Sequence, residues 1–177
     1  MQSPNSLVSP ENVSILLEYA AKTPSGIFIE VGVYKGGTAY FLAELARTRN
    51  NDLWLFDTFE GMPEKTEGID SHSVGDFADC SYNEVRYLIP WATFFKGFFP
   101  ATLPTPRDLP PIAFVHVDCD QFESIKNCIL RLTPYLVKGG IMYFDDYGCL
   151  EGATQAIDRF CPKRTIISNG KAIYTKE

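Results

Sequence analysis

The apolar positions of the chain fall into two alternating patterns. Short, nearly continuous apolar runs, of the kind buried on both faces of a parallel sheet, occur at Ile27-Phe28-Ile29, Leu53-Trp54-Leu55-Phe56, Ala113-Phe114-Val115-His116-Val117 and Ile141-Met142-Tyr143-Phe144. Between them, apolar residues recur at helical spacing: Val13, Leu16, Leu17, Ala20 and Ala21, then Phe41, Leu42, Leu45 and Ala46. The same spacing returns at Phe122, Ile125, Ile129 and Leu132, and again at Ala153, Ala156, Ile157 and Phe160. Ser9 followed by Pro10 marks the start of the first helix, and Ser81 with Glu84 has capping-box spacing ahead of a short helix that ends by Pro90. A third strand fits residues 92–99. Five of the twelve prolines fall in residues 100–111, which predicts a rigid surface connection where a crossover helix would otherwise lie. The tail, residues 164–168, Asn169-Gly170 and 171–175, predicts a β-hairpin. Strand and crossover units closed by a hairpin predict an α/β fold: a doubly wound, Rossmann-like sheet, mostly parallel, with an antiparallel C-terminal strand.

Residues 60–79 carry no sustained period. They are long and polar and follow a strand end, which predicts a lid over about residues 60–80. With 177 residues and 45% hydrophobic content, the chain is expected to form a single domain over 1–177. A net charge of -6 without a basic run argues against nucleic acid as a partner. The N-terminus has no charged segment followed by an apolar one and no later run is long enough to span a bilayer, so no membrane is expected and the location is expected to be cytoplasmic. Five cysteines without a CxxC pair suit neither a disulfide framework nor a zinc site and read as reduced thiols. A homo-oligomer is compatible with all of this.

Candidate chemistry gathers at the strand ends. One apolar run breaks into Asp118-Cys119-Asp120 and the next into Asp145-Asp146, and in a parallel sheet both ends emerge on the same edge. Two carboxylates about 4 Å apart repel by roughly 4 kcal/mol at an effective dielectric near 20, so such a cluster calls for protons or a cation. Oxygen ligands favour Mg²⁺, Ca²⁺ or Mn²⁺. The first strand runs into Glu30-Val31-Gly32-Val33-Tyr34-Lys35-Gly36-Gly37, whose glycines suit a ligand at a helix N-terminus, or else only a tight turn. The turn is not GxGxxG, and an acid at Glu30 suits the ammonium and sulfonium of S-adenosylmethionine better than a pyrophosphate. Asp57, after the second strand, stands where an acid binds ribose hydroxyls, or caps a turn.

Four segments carry a resemblance. Asp57-Thr58-Phe59-Glu60-Gly61-Met62-Pro63 resembles the D-S-F-E-G-L-P motif of the macrocin O-methyltransferase family, and 95–104 resembles its K-G-x-F-x-x-T-L-P. Residues 116–124 resemble its L-D-G-D-x-Y-E-S, and Gly139-Gly140 through Asp145-Asp146-Tyr147 its G-G…D-D-Y. The resemblance implies a class I S-adenosylmethionine-dependent O-methyltransferase acting on a small-molecule hydroxyl, a sugar or other vicinal diol. It implies Mg²⁺ held by Asp118, Asp145 and Asp146, with Asp118 also the catalytic base. Cofactor contacts are expected at Glu30, Gly32, Tyr34, Gly36, Gly37 and Thr38, at Asp57, Thr58 and Phe59, and at Gly97 and Phe98. Asp120 is left outside the metal set, as a cap or a support to it. Thr58 replaces the motif's serine and Cys119 its glycine, while the segment before the first strand is shorter than in the family. His72, in the lid, is a candidate substrate contact; His116, inside a strand, reads as structural. The alternatives are a catechol-type O-methyltransferase, a nicotinamide-binding module and a catalytically silent Rossmann-like module.

Overall fold

The computed structural model describes residues 6–167 and 170–177. Asn169 of the expected hairpin turn lies outside them. Seven strands, β1 (Ile27–Val31), β2 (Leu53–Asp57), β3 (Thr93–Lys96), β4 (Ile112–Val117), β5 (Leu136–Phe144), β6 (Thr165–Ile167) and β7 (Lys171–Thr175), form one sheet in the order β3-β2-β1-β4-β5-β7-β6. The first five run parallel, and β7 lies antiparallel to both β5 and β6. The chain steps outward from β1 to β3 and then returns to lay β4 beside β1. This reversal opens a crevice at the carboxyl ends of β1 and β4, where sheets of this topology bind ligands.

Helices α1 (Pro10–Ala21), α2 (Gly37–Thr48) and α3 (Tyr82–Leu88) cover one face; α4 (Phe122–Leu132) and α5 (Glu151–Phe160) cover the other. The two-residue period of the strands divides the core accordingly. Phe28, Leu55 and Phe114 pack with Leu16, Leu42 and Val85, whereas Ile29, Phe56 and Val115 pack with Ile125, Ile129 and Ile157. β1 and β4 are buried along their whole length, as their unbroken apolar runs require. Ser9 caps α1 by accepting from Asn12 N, with Pro10 in the first turn, and Ser81 caps α3 by accepting from Glu84 N.

Two boundaries differ from expectation. β3 ends at Lys96, because Gly97 takes a φ of 131° and turns the chain, so Gly97 and Phe98 lie beyond the strand. β5 begins at Leu136, before the glycine pair, because Leu136 still pairs with Ile112 across a register shift. Residues 100–111 hold no helix, as their prolines dictate. No helix among the described residues is long and apolar enough to cross a membrane.

Candidate functional site

The turn after β1 is shaped by what lies across from it. Gly32 has a φ of 91°, and a Cβ there would stand 1.7 Å from the carbonyl oxygen of Asp118. Only glycine fits both the dihedral and the approach. Gly36, with a φ of 79°, ends the turn and starts α2. Asp57 holds the turn in place: its Oδ2 accepts from Val33 N at 2.6 Å and from Tyr34 N at 2.8 Å, and its Oδ1 accepts from Phe59 N at 2.6 Å. Such charge-assisted bonds are about twice as strong as neutral ones. Asp57 therefore caps the turn and also borders the cavity in front of it.

Glu30 lies fully buried beneath the turn. Its Oε1 accepts from Thr38 Oγ1 at 2.5 Å and meets His116 Nδ1 at 3.0 Å, while its Oε2 is buried without a partner. Glu30 thus reaches the cavity through Thr38 and the turn, not by its own carboxylate. Phe59 is likewise buried, against Tyr82 and Phe94, and contributes its backbone N–H to Asp57.

The acids meet at the ends of β4 and β5. Carboxylate oxygens of Asp118, Asp120 and Asp146 lie within 4.8 Å of one another. Asp146 Oδ2 is buried and has no partner. Withdrawal from water, followed by the charge of Asp145, holds Asp118 well above the usual carboxylate range. Burial and then Asp120 push Asp146 up to about 8, and burial also raises Asp120. Asp145 turns the other way. Lys171 Nζ donates to its Oδ2 at 2.8 Å and to its carbonyl oxygen at 2.6 Å, and His116 Nε2 stands 3.7 Å from its Oδ1. Burial would raise Asp145, but His116 and Lys171 outweigh it and hold the group below its ordinary value. Burial also opposes the charge on His116, yet Asp145 and Glu30 hold it well above 6.5. Of the expected metal set, the structure brings Asp118 and Asp146 together with Asp120, while Asp145 lines the same cavity but faces Lys171 and His116. Three carboxylates drawn together away from water, with one buried oxygen unpartnered, fit an oxygen-ligated divalent cation.

Turn and acids share one cavity of about 540 Å³, within the usual range for small-molecule sites. Gly32, Tyr34, Gly37 and Thr38 line it from the turn, Asp57 and Thr58 from the end of β2, and Gly97 and Phe98 from beyond β3. Gly36 does not line it. The roof is the irregular stretch 60–79, through Met62, Pro63, His72 and Phe77. That stretch is fastened at several points: Asp70 accepts from Thr66 N and from Phe122 N at the start of α4, Gln121 Nε2 donates to Pro63 O, and Tyr34 Oη donates to Asp79. His72 Nε2 stands 3.8 Å from Asp120 Oδ2, which places this expected substrate contact at the cavity wall. Three contributions went unforeseen. Lys171 lines the cavity from β7, Ser6, Leu7 and Val8 complete the wall beside Gly37, and Asp70, outside the lining, ties the roof to α4.

The profile of the Macrocin-O-methyltransferase (TylF) family matches residues 14–175. The chain is 30% identical over 144 residues to an 8-demethyl-8-(2,3-dimethoxy-alpha-L-rhamnosyl)-tetracenomycin-C 4'-O-methyltransferase of Streptomyces olivaceus, covering 69% of this chain and 53% of that protein. It is 27% identical over 155 residues to a demethyldecarbamoylnovobiocin O-methyltransferase of Streptomyces niveus, covering 78% and 59% respectively. The chain thus spans little more than half the length of these relatives. The solved structure of the O-methyltransferase NovP superposes with a TM-score of 0.75 at 23% identity, covering 94% of this chain and 78% of that one, which shows the fold. The calicheamicin methyltransferase CalS11 superposes with a TM-score of 0.74 at 20% identity, covering 93% and 77%. With nearly its whole length matched, and with the strand order and acid positions described above, the chain belongs to the macrocin O-methyltransferase family.

Proposed function

We propose that the protein transfers the methyl group of S-adenosylmethionine to a hydroxyl of a small molecule, a sugar or other vicinal diol, with Mg²⁺ held at the acid cluster. The observation that carries this is the placement of Asp118, Asp120 and Asp146 in the same cavity as the glycine turn, with Asp146 Oδ2 unpartnered. The sugar is supported by the activity for which the rhamnosyl-tetracenomycin relative is named. A small-molecule acceptor, not a nucleic acid, is supported by the net charge of -6 and the acidic floor. A cytoplasmic setting is supported by free thiols at all five cysteines.

In this reading the turn from Gly32 to Thr38 and Asp57 hold the cofactor, and Gly97 and Phe98 border it from the β3 side. When bound, the cofactor supplies an electrophilic methyl group, and the cation stabilises negative charge developing on the acceptor oxygen. Asp118, Asp120 and Asp146 would hold the cation, with Asp145 beside them. Asp118 would accept the proton of the acceptor hydroxyl. Met62, Pro63 and Phe77 keep bulk water from the reacting centre, and the shared cavity supplies proximity.

Methyl transfer from labelled S-adenosylmethionine to a panel of alkyl rhamnosides and catechols, followed by mass spectrometry, tests this. The expected result is product with Mg²⁺, none after chelation, and none from Asp118→Asn at any Mg²⁺ concentration. Turnover at full rate in chelator overturns the role of the cation, and failure to bind S-adenosylmethionine overturns the whole reading.

A further inference from the structure

Five polar side chains stand in a row beneath the site, hydrogen-bonded to one another except between His116 Nε2 and Asp145, which face each other at 3.7 Å without a hydrogen bond. Thr38 Oγ1 donates to Glu30 Oε1 at 2.5 Å, His116 Nδ1 meets the same oxygen at 3.0 Å, and His116 Nε2 faces Asp145 Oδ1 at 3.7 Å. Lys171 Nζ closes the line on Asp145 Oδ2 at 2.8 Å. All five are buried, with Glu30 and His116 at 0% exposure. They stand on α2, β1, β4, the end of β5 and β7, so the line crosses four neighbouring strands. Glu30 and His116 are register partners between β1 and β4. Apolar residues of similar volume would make as stable a core, so stability alone does not account for so many buried charges.

The line joins the two halves of the cavity, and His116 is its shared member. We infer that His116 is a positioning residue that couples them, so that a divalent cation at the acid cluster tightens the hold of the glycine turn on the cofactor. This rests on the function proposed above. An imidazole between two carboxylates is drawn by both. A cation among Asp118, Asp120 and Asp146 offsets the charge of the neighbouring Asp145, which weakens one side and leaves the ring to Glu30. Glu30 also anchors Thr38, the second residue of α2, so a firmer Glu30 fixes the start of that helix and the turn ahead of it. By linkage, the cofactor must tighten the cation by the same factor.

Calorimetric titration of the protein with S-adenosylhomocysteine, with saturating Mg²⁺ and after chelation, measures the coupling. Mn²⁺ titration followed by electron paramagnetic resonance, with and without S-adenosylhomocysteine, measures its reciprocal. The expected coupling is about fivefold or more in both directions. In His116→Gln, whose amide serves one carboxylate at a time, both ligands should still bind while the factor falls below about twofold. Glu30→Gln should lose the same factor, and the double variant no more than either single one. Independent binding in the unaltered protein, or coupling that survives in His116→Gln, overturns the inference alone. If His116→Gln does not fold, the reciprocity in the unaltered protein and the Glu30→Gln factor decide. Absence of S-adenosylhomocysteine binding, or of any cation binding, removes the proposed function as well.

Discussion

Gly32 and Asp118 are fitted backbone to backbone: Asp118 N donates to Val31 O at 2.9 Å, and a methyl group on Gly32 would overlap the Asp118 carbonyl. The turn expected to hold the cofactor and the acid expected to take the proton therefore move as one piece. Gly32→Ala adds overpacking, about 1–3 kcal/mol, to a left-handed φ that costs an alanine roughly 1–2 kcal/mol. A loss of at least about 2 kcal/mol in urea denaturation is expected. Stability equal to the parent would mean that the two segments yield to each other easily.

Asp57 receives three backbone N–H groups, so its replacement should be felt before any ligand arrives. Asp57→Asn keeps one acceptor but sets an amide N–H₂ against backbone donors. We expect the ligand-free protein to lose about 1–3 kcal/mol, seen as a lower urea midpoint with unchanged slope. If stability is unaltered and only S-adenosylhomocysteine affinity falls, Asp57 serves the ligand and not the turn.

The acid cluster predicts a pH dependence with a definite sign. Asp146 titrates at about 8 in the fold against 3.8 as a free side chain, a raised value. The stability it lends is complete below the lower value and is lost as pH rises through the higher one. Asp118 and His116 are raised as well and act in the same direction, whereas Asp145 is lowered and acts only at acid pH. Thermal melting of the chelated protein should therefore fall between about pH 6 and pH 9, and Mg²⁺ should restore more at the upper end, because protons no longer compete for its ligands. A Mg²⁺ effect that is equal at both ends would remove Asp146 from the site.

Asp70 fastens the roof to α4 by accepting from Phe122 N, while its other oxygen accepts from Thr66 N within the roof; Gln121 gives that helix no side-chain cap of its own. Asp70→Ala should cost about 1–2 kcal/mol, as the loss of a helix cap does. In hydrogen exchange, protection should drop over residues 60–79 and the first turn of α4, while β1 and β4 stay protected. Unchanged exchange over residues 60–79 would show that the remaining ties suffice.

Much of this was readable from local pattern. Uninterrupted apolar runs announce β1, β2 and β4 because strands covered on both faces have no polar side to display. The glycine turn and the acids at Asp118 and Asp145-Asp146 stand directly after those runs, so their meeting on one edge followed from parallel order. What escaped depends on partners far along the chain. Lys171 sits at the start of β7 and reaches Asp145 only because β7 lies antiparallel to β5, with Ala172 opposite Phe144. Asp70 acts across 52 residues, and the two carboxylates that meet His116 come from neighbouring strands. Asp120 was set apart from the acids that it joins because its left-handed φ of 58° cannot be read from its neighbours.

The position of Lys171 also bears on how the protein is made. A chain emerging from the ribosome has its glycine turn and every acid of the site more than twenty residues before it has the lysine that pairs with Asp145. Until β7 is synthesised and docks on β5, the carboxylates have fewer cations facing them, and their mutual repulsion works against closing the sheet. Asp145 therefore gains its lysine only when β7 docks on β5, after the turn and the acids are already in the chain.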